Sequence, residues 1–276
     1  MSPTRLAART LLALLVPLGA ALPALAQTAW VSSEKDHALT LVDLRSLSVT
    51  GTVPTCQRPR HMQRSADGKQ LWVACGDARQ ADVIDIATRK SVRRLGLGDD
   101  PEIFDLSPDG RTLYVSNEED AELGIVDVAS GQRKGAVKVG EEPEGVKVSR
   151  DGKHVYVTSE AASLVHVVEV ASGKVVKNIP AGKRPRRFAT TPDGAQLWVT
   201  NELGASVTVI DTRALTVIDT IKFSVKGARA ADITPVGITM SKDGKRAFVG
   251  LGKANHVAFV DVATRKVGEL VLVGKR

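Results

Sequence analysis

The 42 residues from Pro101 to Glu142, PEIFDLSPDGRTLYVSNEEDAELGIVDVASGQRKGAVKVGEE, decide the fold. Pro101 to Asp109 reads as a short strand, and Asp109-Gly110 as a tight hairpin turn, because glycine accepts a positive φ without a steric cost. Leu113-Tyr114-Val115-Ser116 supplies a second strand and the alternating run from Leu123 to Asp127 a third. Ala129-Ser130-Gly131 then turns the chain into a fourth strand, Lys134 to Val139, before Gly140 leads to the next proline. The unit is a four-stranded antiparallel meander.

The same unit recurs along the chain. Asp-Gly pairs fall at Asp67, Asp109, Asp151, Asp193 and Asp243, with separations of 42, 42, 42 and 50 residues. Acids that follow a β-branched residue keep that spacing at Asp43, Asp85, Asp127, Glu169, Asp211 and Asp261, and so do Pro59, Pro101, Pro143, Pro185 and Pro235. A four-stranded sheet cannot bury both faces alone, so such units stack on one another, and a period of about 40 to 45 residues with four strands is the signature of propeller blades. A two-sheet sandwich would not hold its period to the residue over four units. The fold expected is therefore an all-β β-propeller. Ala29-Trp30-Val31-Ser32 matches the second strand of a blade, and Gly274-Lys275-Arg276 stops where Gly182-Lys183-Arg184 runs on into Pro185. The sequence thus predicts five complete blades plus one partial blade, a truncated seven-bladed ring.

Residues 1–26 read separately from the repeats. Arg5 and Arg9 precede an apolar stretch from Leu11 to Leu25 that ends in Ala24-Leu25-Ala26, the pattern of a secretory signal peptide. The stretch is shorter than the ~20 apolar residues of a membrane span and is broken by Pro17 and Pro23. The division expected is a signal peptide over 1–26 and a propeller over 27–276, located in the periplasm with no transmembrane segment after cleavage. Cleavage would take the formal charge from +7 to +5, since it removes two arginines and no acid. With 4% aromatic residues, lysines interleaved with acids and an export signal, nucleic acid is not an expected partner. No Cys-x-x-Cys-His is present, which excludes covalent c-type haem, and no cofactor is assigned. In the repeat register Cys56 stands at the position of Gly98 and Cys75 at that of Asn117, on one rim of adjacent blades, so an oxidising compartment makes a disulfide between them reasonable.

Several motifs carry a family resemblance. Leu113-Tyr114-Val115-Ser116-Asn117, Leu197-Trp198-Val199-Thr200-Asn201, Ser107-Pro108-Asp109-Gly110 and Val209-Ile210-Asp211-Thr212 resemble the YVTN-type β-propeller repeat family. More narrowly, Ser33-Glu34-Lys35-Asp36, Gln57-Arg58-Pro59-Arg60, Asp100-Pro101-Glu102, the insertion after Phe223 and Leu251-Gly252-Lys253-Ala254-Asn255 resemble periplasmic propellers associated with pyrroloquinoline-quinone (PQQ)-dependent alcohol catabolism. Members of that group usually carry about one more blade, as in a seven-bladed ring. The resemblance implies an accessory role beside quinoprotein dehydrogenases and transfers no catalytic residue.

Residues that recur in every blade serve the fold, which sets aside the Asp-Gly turns and the strand-end acids Asp85, Asp127, Glu169 and Asp211 as turn formers. Variable positions cluster on the rim where the inner strands begin. Arg60, Glu102, Glu144 and Arg186 follow the prolines there, His61 comes next, and nearby loops carry Glu34, Asn117, Glu118, Glu160, Asn201 and Glu202. Arginines and glutamates at a channel mouth hold a polar ligand through charge-assisted hydrogen bonds or neutralise one another, and both readings stay open. The eight-residue insertion between Phe223 and Pro235 reads as a lid, a docking loop or a tolerated surface insertion. The five histidines lack zinc-type spacing and no Gly-x-Ser-x-Gly elbow is present, so no catalytic residue and no metal ligand is assigned. The function expected is a non-catalytic periplasmic binding or accessory propeller serving PQQ-dependent alcohol oxidation, with a periplasmic PQQ-dependent dehydrogenase or a small polar ligand as partner. A lactonase-type metal-dependent hydrolase is the alternative, with Glu102, Glu144 and Glu202 offering oxygen ligands and Arg60 and Arg186 opposing a cation.

Overall fold

In the computed structural model, which describes residues 27–274, every repeat forms its own antiparallel sheet. The first sheet holds Thr28–Ser33, Ala38–Asp43 and Ser48–Pro54, and the other five have four strands each. The third is typical: Pro101–Leu106 lies innermost, followed outward by Thr112–Asn117, Glu122–Asp127 and Arg133–Lys138. The signal peptide expected at 1–26 lies outside the described residues. No described helix is long and apolar enough to cross a membrane.

Burial follows strand position. The second strands are sealed, as in Leu113, Val115, Leu197 and Val199, all at 0% exposure, while the outermost strands are mostly exposed apart from one buried residue near their end, such as Leu95 or Ile221. Five buried apolar clusters bind consecutive sheets together, from Leu39, Leu41 and Val53 against Leu71, Val73 and Ile84 to Val207 and Val209 against Ala247 and Val249. At ~25 cal/mol per Å² of apolar surface removed from water, this face-to-face burial is the main source of stability.

The protein is a six-bladed propeller. This corrects the expectation of a truncated seven-bladed ring with five complete blades and one partial. All six repeats form a sheet, and the first shares a buried cluster with the second as the later blades do with theirs. The expectation counted strands, whereas a blade is made by the faces it buries.

Turn chemistry maintains the repeat. Each Asp-Gly aspartate accepts from a Ser or Thr hydroxyl two residues earlier and from an amide two residues later, as Asp109 does from Ser107 Oγ and the Arg111 N–H, and these contacts hold its pKa below the ordinary value. On the far edge Asp85, Asp127 and Asp211 accept N–H groups of their own turns at 2.7–2.9 Å, which accounts for their recurrence. Glu169 keeps the turn through its backbone carbonyl, which accepts from the Gly173 N–H.

Cys56 and Cys75 are joined by a disulfide with Cα atoms 5.8 Å apart, and both are buried. Their separation of 19 residues closes a loop whose constraint on the unfolded chain contributes about 3 kcal/mol. The double substitution Cys56→Ser, Cys75→Ser is expected to lower Tm by about 6–12 °C, measured by calorimetry. An unchanged Tm would show that the bridge adds nothing to stability.

Candidate functional site

The rim where the inner strands begin is shaped by three local features. Each of these strands opens on a proline that donates no ladder hydrogen bond, and each has a register shift just after it, between Pro101 and Phe104 and between Pro185 and Phe188 for example. The residues before four of the prolines, Arg58, Asp100, Glu142 and Arg184, have φ between 37° and 58°. That left-handed geometry is uncommon for side chains other than glycine and is disfavoured before proline. Its third support is a recurring clamp on the loop that leads into each proline. Asn117 Nδ2 donates to the carbonyls of Leu97 and Asp99, Ser159 Oγ donates to Glu141, Asn201 Oδ1 accepts from the Gly182 N–H, and Cys75 at the same register position bonds covalently to Cys56. Asn117 and Asn201, read from the sequence as ligand candidates, are fully buried in this clamp.

The strained loops and bulges bring the charged candidates together. Arg60 lies 2.6 Å from Glu102, which is fully buried. Arg186 sits between three carboxylates, 3.2 Å from Glu144, 2.5 Å from Glu160 and 3.7 Å from Glu202. Arg184 reaches Glu160 at 2.6 Å and Glu202 at 3.3 Å, and Arg187 reaches Glu144 at 3.2 Å. Arg58 extends the network towards the first blade, 3.3 Å from Asp100, 3.4 Å from Asp77 and 3.8 Å from Glu34. Arg58, Asp100, Arg184 and Arg187 are not among the site candidates of the sequence: the first three precede a proline in a left-handed conformation that periodicity does not reveal, and the fourth follows the bulge.

Carboxylates crowd one side of this mouth. Burial pushes Glu102 up to about 8, helped by Glu144, Glu118 and Asp100 and opposed by Arg60. Burial also raises Glu118, with Glu144 and Asp100 adding to it and Glu102 and Arg60 opposing. Both shifts favour the protonated form of this pair. Burial likewise raises Glu160, outweighing Arg186. For Arg186 burial works the other way, but Glu144, Glu160 and Glu202 keep its pKa above the ordinary value.

Asp100, Glu102 and Glu118 each offer a carboxylate oxygen within 4.8 Å of the others. A cation there would compete with Arg60, 2.6 Å from Glu102, and with Arg58, 3.3 Å from Asp100. His61 stands deeper on the inner strand with its ring edge-on to Phe104 at 5.0 Å. Burial, then Arg187 and Lys147, push its pKa down to about 3, so its imidazole is uncharged at neutral pH.

The insertion is anchored more firmly than a lid. Val225, Ala228 and the buried Ile233 pack on the core of the last two blades, Arg229 pairs with Asp232 at 2.6 Å in a short 3-10 turn, and Thr234 accepts the Lys253 N–H.

The opposite mouth was not singled out in the sequence. It opens as a cleft of about 1100 Å³ lined by the ends of the inner strands and by the Asp-Gly turns. The signal was the variation at Gln63, Asp105, Lys147 and Ala189, one register position that changes character in every blade.

Stacked four-stranded blades around charged mouths define a β-propeller whose mouths, more than its scaffold, distinguish it. The model of the YNCE-like beta-propeller family matches residues 19–106 and 102–196, and the chain belongs to that family. No curated protein matches the chain at a significant level. Among solved structures, hydrazine synthase from Kuenenia stuttgartiensis is similar over 90% of this chain and 84% of its own, at 23% identity and a TM-score of 0.77. A functionally unknown protein from Desulfotomaculum acetoxidans is similar over 90% and 82%, at 14% identity and a TM-score of 0.74. Dihydro-heme d1 dehydrogenase NirN, solved in complex with DHE, is similar over 90% of this chain and 55% of its own, at 18% identity and a TM-score of 0.64. At these identities the similarity shows the fold alone.

The Glu102 shift gives a pH test. Its folded pKa of about 8 lies above the ordinary 4.5, so its contribution to stability is complete below pH 4.5 and is lost as pH rises through 8. Glu102→Gln, which imitates the protonated form, is expected to gain in Tm on the parent steadily across that interval. A difference that stays constant with pH would show that Glu102 does not titrate there.

Proposed function

We propose that this propeller is a non-catalytic binding protein acting outside the cytoplasm. It receives a polar ligand or a protein partner at the proline-side mouth, and it serves as an accessory to a PQQ-dependent alcohol-oxidation system. One observation carries the binding role. Among the described residues nine buried side-chain polar atoms lack a hydrogen bond of good geometry, and five of them belong to Glu102, Glu144, Arg186 and Glu202 at this mouth. Buried polar groups are otherwise nearly always bonded. The charges here are near one another yet poorly aligned, so this mouth holds polar capacity that its own side chains do not fully satisfy.

Two further features support the setting. The buried disulfide suits an oxidising compartment, and the motif from Gln57 to Arg60 with the one around Glu102 carries the resemblance to PQQ-associated propellers. The hydrolase alternative is weaker, because Arg58 and Arg60 already lie against the carboxylates a divalent ion would need.

The test is surface-plasmon binding of a purified PQQ-dependent alcohol dehydrogenase to the immobilised propeller, alongside calcium calorimetry and a lactone-hydrolysis assay. Saturable binding that weakens about tenfold in Arg184→Ala is expected, since losing a charge-assisted contact is worth about 1.4 kcal/mol or more. Arg184 is 41% exposed at the mouth, and Glu160 keeps Arg186 as a partner when Arg184 is removed. Calcium binding with lactone turnover that Glu144→Gln abolishes would replace this reading with the hydrolase.

A further inference from the structure

We infer that the cleft at the Asp-Gly mouth is a second binding site, for a small organic polycarboxylate. It lies at the other end of the channel from the proline-side mouth and goes beyond the reading above.

The argument starts from what the cations there have left to give. Arg64, Arg150, Lys153 and Arg213 line the cleft, and among the described residues none of them forms an ion pair. Arg64 donates its Nε–H to the Gly68 carbonyl at 3.0 Å, and Arg150 donates from one terminal nitrogen to the Pro192 carbonyl. Each guanidinium carries five N–H donors, so most remain unspent. The proline-side arginines differ, since Arg58, Arg60, Arg184, Arg186 and Arg187 all have carboxylate partners.

The acids of the cleft are occupied by their own surroundings. Asp151 Oδ1 accepts from Ser149 Oγ and the Lys153 N–H, and Asp193 Oδ1 accepts from Thr191 Oγ1 and the Ala195 N–H. Asp105 on the floor accepts from Gln63 Nε2 at 2.7 Å and the Val148 N–H at 2.9 Å, and it pairs with Lys147 at 2.8 Å. Each of these carboxylates thus already has protein partners on at least one oxygen, while the exposed cations that share the cleft wall have fewer.

Their placement selects the ligand class. Arg64 comes from the second blade, Arg150 and Lys153 from the fourth, and Arg213 from the fifth. A single small anion cannot meet cations spread over blades on different sides of a cleft of about 1100 Å³. A molecule with two or three separated carboxylates can, and planar guanidinium forks match carboxylates bidentately. The cavity size is that of a small-molecule site.

The experiment is titration calorimetry of the full chain with citrate at low ionic strength, against the uncharged trimethyl ester of citrate and against pyrophosphate. The double variant Arg64→Gln, Arg150→Gln is compared with Lys174→Gln, Lys177→Gln, which removes the same charge from the exposed outer strand Lys174–Pro180. Citrate binding that the cleft variant weakens at least about tenfold, with the outer-strand variant and the ester control as expected for a local site, supports the assignment. Equal loss in both variants overturns it as a general charge effect, no citrate binding overturns it outright, and tighter binding of pyrophosphate overturns the ligand class. Glu144→Gln at the far mouth is expected to leave citrate binding unchanged, which keeps this result separate from the dehydrogenase test.

Discussion

Everything in this molecule depends on one constraint: a four-stranded sheet with two apolar faces must find a neighbour for each. The clusters that join consecutive blades meet it with β-branched and aliphatic residues on the second and third strands, among them Val157, Val165, Val167 and Val209. Apolar packing is concentrated in those middle strands. The inner strands, six residues long, are therefore free to place polar groups at both of their ends, where the channel opens.

Holding those ends in place needs more than packing. The clamp position at Cys75, Asn117, Ser159 and Asn201 serves one purpose with different chemistry in successive blades, from a disulfide to an amide to a hydroxyl. In each case it fixes the loop before the proline, and the fixed loop supports a left-handed residue and a bulge that cost free energy locally. Charged side chains at that rim thus project from a rigid frame, which allows a buried carboxyl such as Glu102 to persist beside Arg60.

The sequence showed the repeating architecture with little ambiguity, because Asp-Gly turns, strand-end acids and prolines keep one period and each has a turn-level cause. Arg60, Glu102, Glu144 and Arg186 were also legible, since they vary in sign directly after a proline that recurs in each of these blades. Asn117 and Asn201 were misread as ligand candidates because a short polar side chain at a loop looks the same whether it faces solvent or clamps a backbone. The blade count was misjudged because strand number is written in the chain while inter-sheet burial is not. Arg187 was not legible because a bulge changes which side of the strand a residue occupies, and its register is a property of the pair of strands, while Arg184 owes its place to a left-handed backbone before the proline.

The two mouths differ for a physical reason that follows from how the inner strands begin and end. At the start, the bulge draws acids and arginines inward together, where desolvation makes each ion depend on its partners and drives Glu102 to keep its proton. At the finish, each strand runs into a tight turn whose aspartate is bound by its own hydroxyl and amide, and Arg150 and Lys153 of these turns stay at the water boundary, near Asp193 and Asp151 but in no close ion pair among the described residues. His61 sits between these regimes, kept uncharged by burial with Arg187 on one side and Lys147 on the other. The channel therefore has a polarity along its axis: one end neutralises itself and tunes proton occupancy, and the other retains unspent donors, so the two ends select different chemistry from the same scaffold.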